Sequence, residues 1–296
     1  MVVLKKFSYI LSSVILAASM VACNSSSDDP TTLTLSITDA PVDGATAVVV
    51  EFTGVELKPA GGPAISFDFD APRQIDLFAL QGTNASDLLT DVEVEAGDYN
   101  WVRLKVNALV NTMDSFITFE DGNSYSLYIP SGSETGLKLV RGITINQGTQ
   151  ANFVIDFDLR KSVVDPRNEA SDYFLKPALR LIDNNQSGDI QGSVANATAE
   201  LEACGNGAAV YVYEGLDVVA DDEGSATPPL TSVNVEFDSD ANTYSYTVGY
   251  LTPADYTLAI TCEAQNDLAE TDEDIEFLAS INATVVADQV TTANFE

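Results

Sequence analysis

Two pairs of carboxylates are the residues of this chain whose type and spacing could do chemistry. Asp68 with Asp70, and Asp156 with Asp158, each stand two apart in an alternating run, so each pair shares one strand face. Neighbours two apart on a strand lie about 7 Å from each other, a spacing that suits an acid and a base on either side of a glycosidic bond. Asp156 and Asp158 also have Arg160 and Lys161 beside them for pairing, and an outward Asp on an alternating strand is an ordinary solvated residue. No apolar pocket that would raise one carboxyl above its partner surrounds either pair. The chain has no histidine, which removes Ser–His and Cys–His nucleophilic catalysis and histidine-ligated zinc. No Gly-rich phosphate loop leads into a helix. No catalytic residue is therefore assigned.

Metal ligation is the second chemistry to weigh. Asp183, Asn185, Ser187 and Asp189, with Gly188 at the bend, follow the order of the first half of a calcium loop. Val194 stands where the bidentate acid belongs, and an interdomain turn is the simpler account. The acidic run Glu270 to Glu276 has no Gly bend and reads as a solvated loop. The formal net charge is −32, and from Gly188 to Glu296 there are 21 Asp or Glu and no Lys or Arg. That asymmetry excludes nucleic acid, whose phosphates need Lys and Arg, and docking on anionic headgroups. It fits solubility in a salty medium, or the binding of divalent cations such as Ca2+. Beyond that Ca2+ option no cofactor is expected, and no metal ligand is assigned. Trp101, Tyr99, Tyr125 and Tyr128 are candidates for sugar or protein contact. Trp101 shares a face with Arg103 and Lys105, although a single Trp capping a sandwich core is the simpler account.

The elements that carry these residues begin with an export signal. Lys5 and Lys6 precede an uncharged, mostly apolar stretch from Phe7 to Val21, shorter than the roughly 20 apolar residues of a spanning helix. Met20-Val21-Ala22-Cys23 resembles the bacterial lipobox, a likeness that implies cleavage after residue 22 and diacylation of the Cys23 thiol. Asn24 follows, and in Gram-negative lipoproteins the lack of Asp there implies the outer membrane. The segment from Asn24 to Thr32 is small, polar and Pro-containing and reads as a flexible tether. The body is thus expected to be anchored to the membrane through Cys23. In an exported body the remaining even pair, Cys204 and Cys262, is expected to form a disulfide closing a loop of about 58 residues.

Beyond the tether the chain reads almost throughout as strands. Leu33, Leu35 and Ile37 alternate with Thr34, Ser36 and Thr38, as do Ile65, Phe67 and Phe69 with Ser66, Asp68 and Asp70. Ala47 to Phe52 is β-branched, and Trp101 to Asn107 and Phe153 to Arg160 alternate. Phe116 to Phe119 and Tyr125 to Ile129, joined through Asp121-Gly122, read as a hairpin. Short helices are expected at Ile75 to Leu80 with Ala85 to Leu89, and at Ile275 to Ala279. Seven further strands follow the polar cluster 183–189, from Ile190 to Phe295, which fits one small sandwich. An apolar content of 45% supplies cores for both.

The stretch from Leu33 to Ile182 resembles a family of bacterial lipoprotein domains known as domain of unknown function 4382. Its carriers are Leu35-Ser36-Ile37-Thr38-Asp39-Ala40-Pro41, Phe52-Thr53-Gly54-Val55-Glu56-Leu57, Gly97 to Leu104, Gly136-Leu137-Lys138-Leu139, Asp156-Phe157-Asp158-Leu159-Arg160-Lys161-Ser162 and Leu175-Lys176-Pro177-Ala178-Leu179. The resemblance implies a fold and an anchor, and no activity. From Asp189 the chain is similar to transthyretin-like or carboxypeptidase-regulatory-like modules, through Gly192-Ser193-Val194, Ala209 to Tyr213, Tyr244 to Val248 and Pro253 to Leu258, with Asp255 where Gly is usual. Such modules act as spacers or in adhesion and sugar contact.

The expectation is therefore an all-β protein of two tandem β-sandwich (Ig-like/transthyretin-like) domains. It comprises a signal peptide (1–22), a lipidated Cys23 with its tether (23–32), a first sandwich (33–182), a linker turn (183–189) and an acidic sandwich (190–296). The expected role is non-enzymatic, binding or structural, at the outer membrane, with a protein or glycan partner. The alternatives are a carbohydrate- or calcium-dependent binding module and a carboxylate-based hydrolase.

Overall fold

The computed structural model describes residues 29–40, 44–130, 136–165, 172–199, 204–205 and 207–296. The signal peptide, Cys23, Asn24, most of the tether and the turn at 41–43 lie outside the described residues. In chain order the first half forms β1 (Thr32–Ala40), β2 (Ala45–Pro59), β3 (Ile65–Asp76), β4 (Ser86–Glu93), β5 (Gly97–Asn107), β6 (Phe116–Phe119), β7 (Ser124–Tyr128), β8 (Leu137–Leu139), β9 (Ile143–Ile145) and β10 (Gln150–Asp158). A one-turn helix α1 (Leu159–Ser162) follows, then β11 (Val163–Val164), β12 (Asp172–Leu175) and β13 (Leu179–Asp183). The second half forms β14 (Gly188–Val194), β15 (Ala209–Glu214), β16 (Thr231–Asn234), β17 (Glu236–Asp238), β18 (Thr243–Leu251), β19 (Asp255–Thr261), β20 (Phe277–Thr284) and β21 (Val290–Thr292).

These strands build two tandem β-sandwiches. In the first, a four-stranded sheet ordered β13-β10-β1-β4 faces a nine-stranded sheet ordered β11-β12-β7-β6-β2-β5-β8, with β3 beside β2 and β9 beside β5. Strand β2 is long enough for β3 to take one edge while β6 and then β5 share the other. Alternation puts Leu33, Leu35, Ile37, Phe153, Ile155 and Phe157 inward, against Val55, Leu57, Val102 and Leu104 of the opposite sheet. In the second sandwich, β17-β18-β14-β21 packs on β16-β15-β19-β20 around Ile190, Val210, Val212, Tyr246 and Leu258. In each sandwich the opening strand pairs in parallel with a late one, β1 with β10 and β14 with β21.

The hairpin at 116–129 forms as expected, with β6 antiparallel to β7. The helix expectations fail in part. Leu77–Leu80 is a single 3-10 turn, capped by the Asp76 carboxylate, which accepts from the Phe78 amide. Ser86 to Leu89 is instead strand β4 on the edge of β1, and register shifts in that pairing let the adjacent Leu88 and Leu89 both bury. That adjacency is what reads as helical in the sequence. The second expected helix is likewise strand, since β20 pairs with β19 from Phe277 onward.

Sheet β13-β10-β1-β4 is covered on both faces. Its inner face meets the first core. Its outer face is overlaid by the segment Leu80–Asn84, whose Leu80 and Asn84 carbonyls accept from Thr38 Oγ1 at 2.9 and 2.7 Å, and by the second sandwich, whose β16 lies against β1. Tyr250 donates its hydroxyl to the Thr83 carbonyl at 2.8 Å, and Gly249 lies so close to the Gly82 carbonyl that a Cβ there would overlap it.

Candidate functional site: a buried charged seam between the sandwiches

The parallel register of β1 and β10 places Thr38 beside Asp156 and Ala40 beside Asp158. Two of the segments that carry the family resemblance thus meet at one end of this sheet. A third joins them, because the Asp158 amide donates to the Ala178 carbonyl and the Lys176 amide to the Ser162 carbonyl. The chain turns sharply here because the Asp158 carboxylate caps α1, accepting from the Lys161 amide at 3.1 Å.

The carboxylates at this end are buried, which corrects the expectation that Asp156 and Asp158 sit on a solvated face. They are 4% and 7% exposed, because the second sandwich covers the face they point from. Asp156 pairs with Arg180 across the sheet, accepting from Nε at 2.8 Å and from a terminal guanidinium nitrogen, and not with Arg160 or Lys161. Asp158 takes Lys161 Nζ at 3.1 Å. That same ammonium reaches the second sandwich, 2.6 Å from Glu223 Oε2, and donates to the Pro229 carbonyl at 3.0 Å. Arg160 crosses as well, donating to Ser232 Oγ and lying over the Tyr211 ring, 5.4 Å from its centroid. Tyr211 donates its hydroxyl to Asp267 at 2.7 Å, and Asp267 accepts from the Glu223 amide.

One lysine thus serves two buried carboxylates. Burial works against the Lys161 ammonium, yet Asp158 and Glu223 together hold its pKa above the usual lysine value. Burial, and then the charge of Asp158, push Glu223 up to about 7 despite Lys161. Asp39 sits on the inner side of the same end, 4% exposed, and among the described residues neither of its oxygens makes a hydrogen bond. Burial first, then Asp156 and Asp158, raise it well above the usual aspartate value.

The other residues singled out from sequence are scattered. Asp68 is exposed and paired with Lys105, which with Ser66 holds its carboxyl below the usual value, and Asp70 is exposed. Asp183 is spent on the turn, accepting from the Asn185 amide at 3.0 Å and Gln186 Nε2 at 3.1 Å, while Asp189 accepts from the Tyr250 amide at 3.0 Å. Cys204 and Cys262 form a disulfide. Trp101 is not a core cap; it lies half-buried on the outer face of β5, with Arg103 and Lys138 over its ring at 4.8 and 4.5 Å. Tyr99 is buried with its hydroxyl on the Glu95 carbonyl, Tyr128 packs on Phe174, and Tyr125 packs with Phe119 and Tyr173. Phe119 and Tyr173, with Arg160 and Glu270, line a cleft of about 270 Å³ between the sandwiches. Beside it, the acidic run is more than a solvated loop. Lys176 pairs with Glu270, and the Glu273 carboxylate accepts from the Leu268 amide at 3.1 Å.

Sequence reasoning missed Asp39, Glu223 and Asp267. One signal was there to use: a half that buries carboxylates yet has no Lys or Arg must borrow its cations from the other half. Lys161, Arg160 and Lys176 are those loans.

The family model described as "Domain of unknown function (DUF4382)" matches residues 30–177. No curated protein matches the chain. Among solved structures, the minor pilin GBS52 of Streptococcus agalactiae aligns at 8% identity over 89% of this chain and 94% of its own, with a TM-score of 0.20. Candidate cell adhesion proteins of Bacteroides fragilis (12% identity, 86% and 81% covered, TM-score 0.20) and Parabacteroides distasonis (10% identity, 89% and 92% covered, TM-score 0.21) align similarly. At such TM-scores these likenesses carry no functional conclusion.

Proposed function

This chain belongs to the family described as domain of unknown function 4382, and on that premise we propose that it is an exported, lipid-anchored, non-enzymatic protein of the outer membrane with a binding or structural role. Its signal peptide ends at residue 22, the acyl chains sit on Cys23, and residues up to 32 tether two sandwiches, 33–182 and a transthyretin-like 190–296, joined by the turn at 183–189. The observation that carries the non-enzymatic reading is the seam. A hydrolase built on Asp156 and Asp158 needs water and substrate at both carboxylates; here both are buried and committed to Arg180 and Lys161. The seam instead uses its charge to hold one sandwich against the other. No helix among the described residues is long and apolar enough to cross a membrane.

The test is metabolic labelling with a palmitate analogue, followed by protease treatment of intact cells. The wild-type chain should carry the label and Cys23→Ser should not; a labelled Cys23→Ser chain would remove the anchor from this reading. Loss of the body on shaving places its partners outside the cell, and protection until the outer membrane is opened places them in the periplasm. The cleft favours a more specific reading of the binding role. Aromatic walls with one cation, Arg160, and three acids, Asp165, Asp267 and Glu270, in the lining suit a sugar or a peptide, so Tyr173→Ala should abolish any hit on a glycan or peptide array that the wild-type chain gives.

A further inference from the structure

The second sandwich contains a group of carboxylates that the seam does not use up. The segment Asp221–Ser225 lies against the segment Asp267–Glu273. Gly224 is so close to the Thr271 carbonyl that a Cβ would overlap it, and the Glu273 amide donates to Asp222 Oδ2. Asp222, Asp267 and Glu273 each bring one carboxylate oxygen within 4.8 Å of the other two, and Asp222 forms a second such group with Asp221 and Asp272. Two oxygens bound to one Ca2+ at about 2.4 Å each can stand no more than about 4.8 Å apart. The spread fits one ion.

An acidic cluster alone is ordinary on a protein of this charge. This one differs in being buried and incomplete. Asp222 is 0% exposed, and among the described residues its Oδ1 has no hydrogen-bond partner. A bare carboxylate oxygen away from water is costly unless something positive meets it. The nearby lysines are committed elsewhere, Lys161 to Asp158 and Glu223, and Lys176 to Glu270. Asp267 is 4% exposed and aimed by the Tyr211 hydroxyl at 2.7 Å, so two of the three carboxylates are fixed before any ion arrives. Asp221 and Asp272 are exposed at the mouth, where they attract a cation from solution.

We propose that Asp222, Asp267 and Glu273 form a divalent-cation site, with Asp221 and Asp272 at its entrance. All its side-chain donors are oxygens, which selects a hard ion, and Ca2+ accepts irregular oxygen cages that Mg2+ does not. Binding would tie the two segments together at the edge of the cleft. The site is independent of the lipid anchor and of the Asp183–Asp189 turn.

The experiment uses the full chain purified in detergent and stripped with EDTA. Ca2+ is titrated by calorimetry, and Tb3+ by luminescence excited through tyrosine, with Tyr211 adjacent to Asp267. We expect one saturable Ca2+ site with a Kd of about 0.1–1 mM, the range of extracellular modules, and a rise in Tm that EDTA reverses. Asp222→Asn and Glu273→Gln should each weaken binding about tenfold or more, while Asp183→Asn with Asp189→Asn, and separately Cys23→Ser, should leave it unchanged. No saturable binding up to about 10 mM Ca2+, binding unchanged in Asp222→Asn, or loss in the Asp183/Asp189 double variant overturns the proposal. If Asp222→Asn does not fold, as judged by circular dichroism, Glu273→Gln decides by the same criteria.

Discussion

Asp39 is the residue whose placement has the most direct energetic consequence. An acid whose folded-state pKa lies above its unfolded value, near 3.9, holds its proton more tightly when folded. Its contribution is then most favourable at acid pH and is lost as pH rises towards the folded value. Asp39 is such a group, so Asp39→Asn should raise stability near pH 7 by about 1 kcal/mol or more, with the gain shrinking towards pH 4. Urea denaturation at several pH values measures this, and a variant less stable than wild type at pH 7 would contradict the account. Glu223 belongs to the same class. Raised to about 7, it works against folding as pH climbs through the interval between its unfolded value, near 4.3, and about 7. Carboxyl-carbon NMR should find its titration near neutrality, and Lys161→Gln should move it higher still; a midpoint below 5 in the wild-type chain would mean the ion pair outweighs burial. Neither behaviour was legible in the sequence. Asp39 stood out only as part of a family-resemblance segment and Glu223 carried no signal at all, because burial by a distant segment leaves no local mark.

Elements were far more legible than their partners. Period-two alternation located β1, β5 and β10, since a strand with one face on a core must repeat every second residue. It failed at β4, where a bulge sets Leu88 and Leu89 side by side, and it misjudged β10, whose outer face is also covered. An alternating pattern says which face is apolar; it does not say that the other face is wet. The Cys204–Cys262 pair was legible from the expected export and an even count. It spans 58 residues and ties the start of β15 to the end of β19 across an antiparallel pair. Its loss should cost about 2–4 kcal/mol. The unfolding free energy of the wild-type chain from urea denaturation should fall by that amount on reduction, and Cys204→Ser with Cys262→Ser should match the reduced protein. An unchanged midpoint would mean that the strand pairing alone fixes this end.

At the scale of the whole molecule, the charge imbalance becomes a device for joining the halves. The first sandwich supplies the cations and the second the surplus carboxylates; Lys161 meets Glu223 where water is excluded, while Lys176 meets Glu270 at the surface. Buried pairs add little net stability when intact but cost about 3–5 kcal/mol when one partner is removed. Lys161→Met leaves both Asp158 and Glu223 without their cation, so it should destabilise the seam by that order. In calorimetry the wild-type chain should melt as one cooperative unit, and Lys161→Met should separate the melting of the two sandwiches. Two transitions already present in wild type would mean that the seam does not couple them. The sequence shows the asymmetry, which on its own fits solubility or cation binding. That the same asymmetry also binds the two sandwiches together needed the structure, because Ser232, Pro229 and Glu223 are unremarkable residues until Arg160 and Lys161 reach them.

The parallel pairing of early and late strands sets a timetable for folding. β1 finds its parallel partner only when residues 150–158 exist, and β14 only when residues 290–292 do. Pairing across such separations slows folding, because the loop must close before any contact rewards it. If the chain is exported as proposed, threading through a membrane from its N-terminus carries β1 across with one edge bare until most of the first sandwich has followed, and β14 until nearly the last residue. Bare, apolar strand edges stick to one another. On that proposed route, the interval between arrival and closure is when the chain would most need a chaperone holding it apart from its own copies.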